Sequence, residues 1–362
     1  MDIYSSVWVQ IPPSAPISPV QTCTNMNVFL DTISGEEPSQ EIIKGALEAL
    51  SASNSLEITL VGDEKADRAF LENSDDFPSR ISFLDAPQTI TMKDDPVSAV
   101  RRNPNSSLVQ GCKASKEREG VFISPGNTGA VVAAALFNLG RIEGVKRPGL
   151  SAVIPTLEEG NIVLIDVGAT TDATPLNLCQ FAVMGEVFAR HVLSVEEPKV
   201  GLLNIGEESN KGNKLTKKTS EAMGKLDLDY RGNIEPHSIL SDPPADVIVC
   251  DGFVGNVLLK SFEGAARSTI GFFKRALSKS LRSKLGGLLL KPTFRELKKQ
   301  LSFSNFGAVP LLGIDGIVFV GHGRSQARAI RNAVLNAERA SKWGLTNEIK
   351  KAIEEIDECI LS

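Results

Sequence analysis

Two aspartates at the ends of hydrophobic runs are the residues that most invite chemistry: Asp166 in "IDVGAT" and Asp251 in "CDGFVGN". A carboxylate at the end of a buried strand either caps the next helix, or orients a nucleophile or a cationic group. Two of them make a stronger constellation than one. The run "SPGNTGA" adds Gly126 and Gly129, which flank Asn127 and Thr128 ahead of an alanine-rich stretch. Asn127 or Thr128 there caps a helix, builds an anion site from the first helical amides, or does both. In "GLLNIGEESNKGNKLTKK", Asn204, Gly206, Lys211, Gly212 and Asn213 concentrate backbone donors and charge after a hydrophobic run. That loop reads as a phosphate cradle, but the spacing G-x-x-x-x-G-K-[ST] is missing, so ATP hydrolysis loses its main support. In "VGHGRSQ", which carries His322, Gln326 stands where the third glycine of a dinucleotide fingerprint belongs. The motif also follows the last strand rather than the first, which disfavours nicotinamide binding. Arg147, in "KRPG" just before a strand, suits bidentate phosphate binding and equally a plain surface position.

Five cysteines form no CxxC pair, and His191, His237 and His322 are far apart. No acidic metal signature accompanies the two aspartates, so neither a metal nor a cofactor is assigned. The cysteines suit reduced thiols of the cytoplasm rather than a disulfide framework.

Short apolar runs supply the frame for these residues: 27–31, 57–62, 121–124, 151–155, 162–166, 200–205, 247–250 and 317–320. Stretches of helical character lie between them, at 39–50, 128–139 and 174–192. Continuous Val, Ile and Leu runs, rather than strict alternation, suit strands buried on both faces. The pattern predicts an α/β fold with a mainly parallel sheet covered by helices. Six of the runs end in small or polar residues, at 30–36, 123–130, 165–172, 204–213, 250–256 and 320–326. These loops are expected to converge on one edge of the sheet, where open parallel sheets hold their ligands.

A chain of 362 residues, 42% hydrophobic and 23% charged, is one large α/β domain or two. The net charge of -5 argues against a nucleic-acid partner. No run of ~18 apolar residues is present, so no membrane-spanning helix is expected. Residues 1–26 are rich in Pro and Ser with no basic n-region, and read as a disordered leader or a mis-assigned start. The body is expected over 27–350, with 351–362 as a terminal helix or tail. One segment stands apart in composition. From Arg267 to Lys299 there are ten basic residues, Lys274, Arg275, Lys279 and Arg282 among them, against one acid, Glu296. Ile270, Phe273, Leu277, Leu281, Leu285 and Leu288 recur at helical spacing beside them. A dimer-interface helix, a membrane-surface helix and a dock for an acidic protein all fit, with a packing stripe beside a solvated face as the default.

Several blocks together resemble the PlsX-type phosphate acyltransferases of bacterial phospholipid synthesis. They are "DDPVSAVRRNPNSSL" (94–108), "GNTGA" (126–130), "RPGLSAVIPT" (147–156), "LIDVGATTDATPLNLCQFAVMGEVFAR" (164–190), "VGLLNIGEESNKGNKLTK" (200–217), "DVIVCDGFVGNVLLKSFEG" (246–264) and "GAVPLLGIDGIVFVGHGRSQARAI" (307–330). The resemblance spans about residues 27–350. It implies a three-layer α/β/α Rossmann-like sandwich, similar to phosphotransacetylases and to isocitrate and isopropylmalate dehydrogenases, in a homodimer. It implies transfer of a fatty acyl group from acyl carrier protein to inorganic phosphate, without a cofactor. The acyl phosphate would then feed a membrane-bound glycerol-3-phosphate acyltransferase on the way to phosphatidic acid. The location implied is the cytoplasm, with peripheral membrane contact. The family opens with D-A-M-G-G-D, where this chain has Asp31-Thr32-Ile33-Ser34-Gly35-Glu36. Ser34 reduces backbone freedom in that loop, and Glu36 reaches one methylene further than aspartate.

For such a reaction, phosphate attacks an already activated thioester, so the protein must hold an anion near the carbonyl and stabilise the developing oxyanion. Gly126, Asn127, Thr128, Gly129 and the 204–213 loop are expected to hold phosphate, helped by Lys211, Arg147 and the first loop with Asp31. Asp251 or Asp166 would orient or deprotonate it, and His322 or Asn256 would donate to the carbonyl oxygen. No Cys or Ser with a neighbouring base is visible, which favours direct transfer. An acyl-CoA donor, or a non-catalytic regulatory protein on the same fold, are the alternatives.

Overall fold

The structure, a computed structural model, describes residues 25–72, 79–157, 160–294 and 306–356. The leader read at 1–26, apart from its last two residues, lies outside these, as do 295–300 of the basic segment and 357–362 of the tail. In chain order the strands are β1 (Met26–Asp31), β2 (Leu56–Gly62), β3 (Ile81–Asp85), β4 (Val121–Ser124), β5 (Gly149–Pro155), β6 (Asn161–Ile165), β7 (Lys199–Leu203), β8 (Asp229–Ile234), β9 (Val247–Val249), β10 (Ala308–Leu312) and β11 (Ile317–Gly321). The helices that matter for the site are α1 (Ser39–Ala52), α2 (Glu64–Glu72), α3 (Pro96–Arg102), α4 (Ser107–Glu117), α5 (Thr128–Asn138), α6 (Pro175–Val192), α7 (Lys214–Met223), α8 (Gly252–Leu277) and α9 (Leu281–Leu289). Two more, Ala327–Lys342 and Leu345–Glu354, follow the last strand, and the second of them runs through residue 350.

Among the described residues the eleven strands form one sheet in the order β3-β2-β1-β4-β11-β10-β5-β6-β9-β7-β8. Its two faces carry separate apolar layers. One layer includes Ile42 and Ile43 of α1, Phe181 and Phe188 of α6, and Ile330 and Val334 of the Ala327–Lys342 helix. The other includes Leu108 and Val109 of α4 and the alanines of α5, with Leu258 and Leu259 of α8 packed against it. Strands covered on both sides can be apolar at every position, which is why Val163, Leu164 and Ile165 are all fully buried.

The strand directions divide the sheet into two parallel sets. β1, β2, β3, β4 and β11 are mutually parallel. β6, β7, β8 and β9 are also mutually parallel. Between the sets, β10 is antiparallel to β11 and to β5, and β5 is antiparallel to β6. The second set therefore runs opposite to the first. Five of the six loops nonetheless line the opening at the parting of the sheet, through Glu36, Gly126, Gly168, Asn256 and His322, while no residue of 204–213 does.

β10 also changes partner along its length. Ala308–Pro310 pair with β11, while Leu311 and Leu312 pair with Leu150 and Gly149 of β5. The later part of β5 is left with β6 alone, and the sheet parts there. Gly307, at φ +86, lets the chain enter β10 against the Ala327–Lys342 helix; a Cβ on it would stand 2.2 Å from the Ala329 carbonyl oxygen.

The basic segment is helical, as α8 and then α9, but its apolar stripe does not pack on the body. Phe273 (49%), Leu285 (63%) and Leu288 (63%) of the stripe are exposed, as are Lys274, Arg275, Lys279 and Arg282. A short Ser278–Ser280 break, with Ser280 capping α9 through Ser283 N, turns the chain back so that the Phe294 ring meets Phe273 at 5.8 Å. Among the described residues no helix is long and apolar enough to cross a membrane.

Candidate active site

The parting of the sheet opens a cleft of about 960 Å³. It draws from both halves: Gly126, Thr128 and Gly129 after β4, His322 and Arg324 after β11, Gly168 after β6, and Asn256, Leu259, Lys260 and Glu263 along α8. Leu150, Ala152, Val153, Val309 and Val320 give it an apolar floor. Of the residues singled out in the sequence, the cleft thus unites Gly126, Thr128, Gly129, His322 and Asn256.

The start of α5 is polar by default. Asn127 is its N-cap, accepting from Ala130 N at 3.2 Å, while its amide donates to the Thr91 and Met92 carbonyls. Gly126 N donates to Ser124 Oγ at 3.0 Å. Those groups are spent on structure. The N–H groups of Thr128 and Gly129 open the helix and, among the described residues, have no recorded acceptor, which leaves them and the Thr128 hydroxyl for an anion. Asp31 stands behind this loop. Fully buried, it accepts from Ser124 Oγ at 2.6 Å and from Ile33 N and Ser34 N at 3.2 Å, and burial raises its pKa. It ties the first loop to β4 and does not reach the cleft. Ser34 fits where the family has glycine, because its neighbour Gly126 has no side chain and its hydroxyl meets Ser107 Oγ at 2.9 Å.

The two strand-end aspartates part company with the sequence expectation. Asp166 is fully buried, and its carboxylate accepts four backbone N–H groups, from Leu150, Gly168, Ala169 and Thr170. Burial is the larger influence and raises its pKa, with the amides pulling the other way. Both oxygens fold the 166–170 loop, so no oxygen is offered to phosphate. Asp251 caps α8, accepting from Phe253 N at 3.0 Å and Val254 N at 2.9 Å, and is not among the cleft residues. The cap and Gly255, whose absent Cβ would stand 1.9 Å from the Asp166 carbonyl oxygen, press α8 onto β6. That pressure delivers Asn256 to the cleft beside Gly168.

His322 is held by its own loop. Its N–H donates to Ser325 Oγ at 3.1 Å, its carbonyl accepts from Ser325 N at 2.8 Å, and Arg324 N donates to its Nδ1 at 3.1 Å. With Nδ1 accepting, the neutral ring carries its proton on Nε2 and is a donor.

The 204–213 loop lies outside the cleft and closes on itself. Asn204 Nδ2 donates to the Lys211 carbonyl at 3.4 Å, Asn233 Nδ2 holds the Glu208 carbonyl at 2.9 Å, and Asn213 caps α7 through Thr216 N. Gly212, at φ +95, makes the turn, and Lys211 Nζ is 4.0 Å from Glu208. None of Asn204, Gly206, Lys211, Gly212 or Asn213 lines the cleft. Arg147 is also apart, in a separate hollow of about 460 Å³ with Phe137, Arg141 and Lys146.

The cations of the cleft are instead Lys260, Arg324 and Arg328, which sequence reasoning missed. Lys260 is one helical turn beyond Asn256, so same-face spacing was its available signal, whereas Arg324 shares only the glycine-rich turn of His322. Burial pushes the thiols of Cys112, Cys179 and Cys250 up, Cys179 to about 11, so none is a ready nucleophile. Among the described residues no cluster of His, Cys, Asp or Glu could hold a metal ion.

The fold class is defined by solved structures. A phosphotransacetylase from Streptococcus pyogenes superposes with a TM-score of 0.56 over 91% of this chain and 95% of its own, at 14% identity. A branched-chain phosphotransacylase from Enterococcus faecalis V583 gives 0.53 over 87% and 98%, at 13% identity. Sequence comparison is narrower. A family described as "Fatty acid synthesis protein" matches residues 26–348. Proteins named "Phosphate acyltransferase" from Desulfitobacterium hafniense (strain DSM 10664 / DCB-2) and Dictyoglomus turgidum are 40% and 42% identical, each over 91% of this chain and 98% of their own length. The chain belongs to this PlsX-type family and is an acyltransferase of lipid synthesis.

Proposed function

We propose that the cleft transfers a fatty acyl group from the thioester of acyl carrier protein to inorganic phosphate, in the cytoplasm and on the way to phosphatidic acid. One observation carries the reading. Two unpartnered amides, Thr128 N and Gly129 N, stand at one end of a cleft whose floor is apolar and wide enough for an acyl chain. Phosphate held there presents an oxygen to the thioester carbonyl. His322 Nε2–H and the Asn256 amide donate to the carbonyl oxygen as it gains charge. The P–O oxygen bonds to the carbonyl carbon, the C–S bond breaks, and the thiolate leaves to be protonated by water. No acyl-enzyme is required.

The exposed stretch from Lys274 to Leu289 supports two partners for the same chemistry. Its cations suit an acidic carrier protein, and its bare apolar residues suit a second copy of the chain or a lipid surface where acyl phosphate is consumed. The phosphotransacetylase-like fold favours one second reading, acyl-CoA as donor. Incubation with labelled phosphate and either palmitoyl-carrier protein or palmitoyl-CoA tests both. Acyl phosphate should form faster from the carrier-protein thioester, and reversal of Lys274, Arg275 and Arg282 to Glu should slow that donor most at low salt. No acyl phosphate from either donor would overturn the proposal.

A further inference from the structure

The loop after β11 and the first loop are joined across the mouth of the cleft. Glu36 N and Glu37 N both donate to the Gly323 carbonyl, at 2.7 and 3.3 Å, and Arg324 Nε donates to Glu36 Oε2 at 2.9 Å. Arg324 N holds His322 Nδ1, so guanidinium and imidazole occupy one wall. We infer that Arg324 binds a phosphoryl group at the cleft mouth, and that Glu36 is the positioning residue that aims it. The inference rests on the proposed acyl transfer to phosphate only for the identity of that group.

Of the five N–H donors of a guanidinium, Glu36 engages the one on Nε. Nη1 and Nη2 have no recorded partner among the described residues, while Arg324 lines the cleft. A guanidinium anchored through Nε offers its other edge as a two-pronged fork, the geometry that matches two phosphoryl oxygens. The Glu36–Arg324 pair is solvent-exposed on both sides and adds little to stability, so stability does not account for its placement. Arg328 and Lys260 make the surroundings more positive, against Glu36 and Glu263. Glu36 is also a departure from the aspartate of the family opening. An aspartate there would end one C–C bond, ~1.5 Å, short of the position that Glu36 reaches.

Two sources carry this chemistry: inorganic phosphate as nucleophile, and the phosphodiester on the arm that presents the acyl thioester. KM for each substrate, measured on the full chain, distinguishes them. Arg324→Gln should raise KM for the phosphoryl-bearing substrate roughly 10- to 100-fold with a smaller change in kcat. A rise confined to phosphate assigns the nucleophile, and one confined to the acyl donor assigns its arm. Glu36→Ala should give part of that rise, and the double variant should be no worse than Arg324→Gln, because Glu36 acts only through Arg324. A purely structural role would make the losses add. Thermal stabilisation by inorganic phosphate or by 4′-phosphopantetheine, over chloride at the same ionic strength, reads binding without turnover. Arg324→Gln should abolish it, and that result stands even if no acyl phosphate is made. Unchanged KM values together with unchanged ligand stabilisation would overturn the inference.

Discussion

After β4 the chain turns through Gly126 and Asn127 into α5; after β7 it turns through Gly206 and Gly212 into α7. Both turns end in an asparagine cap that spends its side chain on an amide two residues into the helix, Ala130 N in one and Thr216 N in the other. Each therefore presents a helix start with similar local chemistry. What separates them is place in the strand order. β4 and β11 are paired and deliver their loops together beside the opening in the sheet, whereas β7 lies beyond β6 and β9 in the order and its loop does not line the cleft. A helix N-terminus is a common object, and its neighbours decide whether it becomes a site.

The largest effect expected from testing this contrast is at the loop partner of α5. His322→Ala removes the donor aimed at the carbonyl oxygen and should lower kcat roughly 100-fold with little change in the phosphate KM. Initial rates over a phosphate series measure both, and an unchanged kcat would take His322 out of the chemistry. Next is Thr128→Val, which keeps the shape and loses the hydroxyl. It should raise the phosphate KM roughly tenfold. Lys211→Ala, in the β7 loop, should leave KM and kcat within about twofold. A rise in phosphate KM as large as that of Thr128→Val would mean that the second loop reaches a site after all, and the contrast would break.

The smallest effect concerns the carboxylate behind the α5 loop. Burial raises the pKa of Asp31, so the folded protein keeps its proton where the unfolded chain, near the ordinary value of about 3.9, has released it. Stability from this group is greatest below the unfolded value and declines as pH rises towards the folded value. Asp31→Asn should flatten that part of the curve. Tm of both proteins across mildly acidic pH checks it, and parallel curves would show that Asp31 does not titrate there.

Much of the frame is visible in the chain itself. The runs read at 27–31, 162–166 and 200–205 overlap β1, β6 and β7 closely, because strands buried on both faces need apolar residues at every position. The strand order and the reversal are not visible, because they depend on pairings such as Val309 with Val320 and Leu311 with Leu150. The site divides the same way. Thr128 and His322 stand in glycine-rich turns that advertise themselves. Asp31 and Asp166 look equally chemical on paper, and only burial shows that their oxygens hold loops together. Arg324 looks like one more surface arginine until the first loop folds onto it.

The place of β10 and β11 in the sheet has a consequence for how the molecule is made. They are the last of the described strands to be synthesised, yet they lie at the centre of the order, where β11 ends the first parallel set and β10, through β5, joins it to the second. A growing chain on the ribosome can assemble β1 to β4 as one unit and β5 to β9 as another, but it cannot join them until it has passed Gly321. His322 and Arg324 come immediately after that point. Substrate space and the groups that act in it thus come into being together, at the end of synthesis, and a chain truncated before β10 has neither.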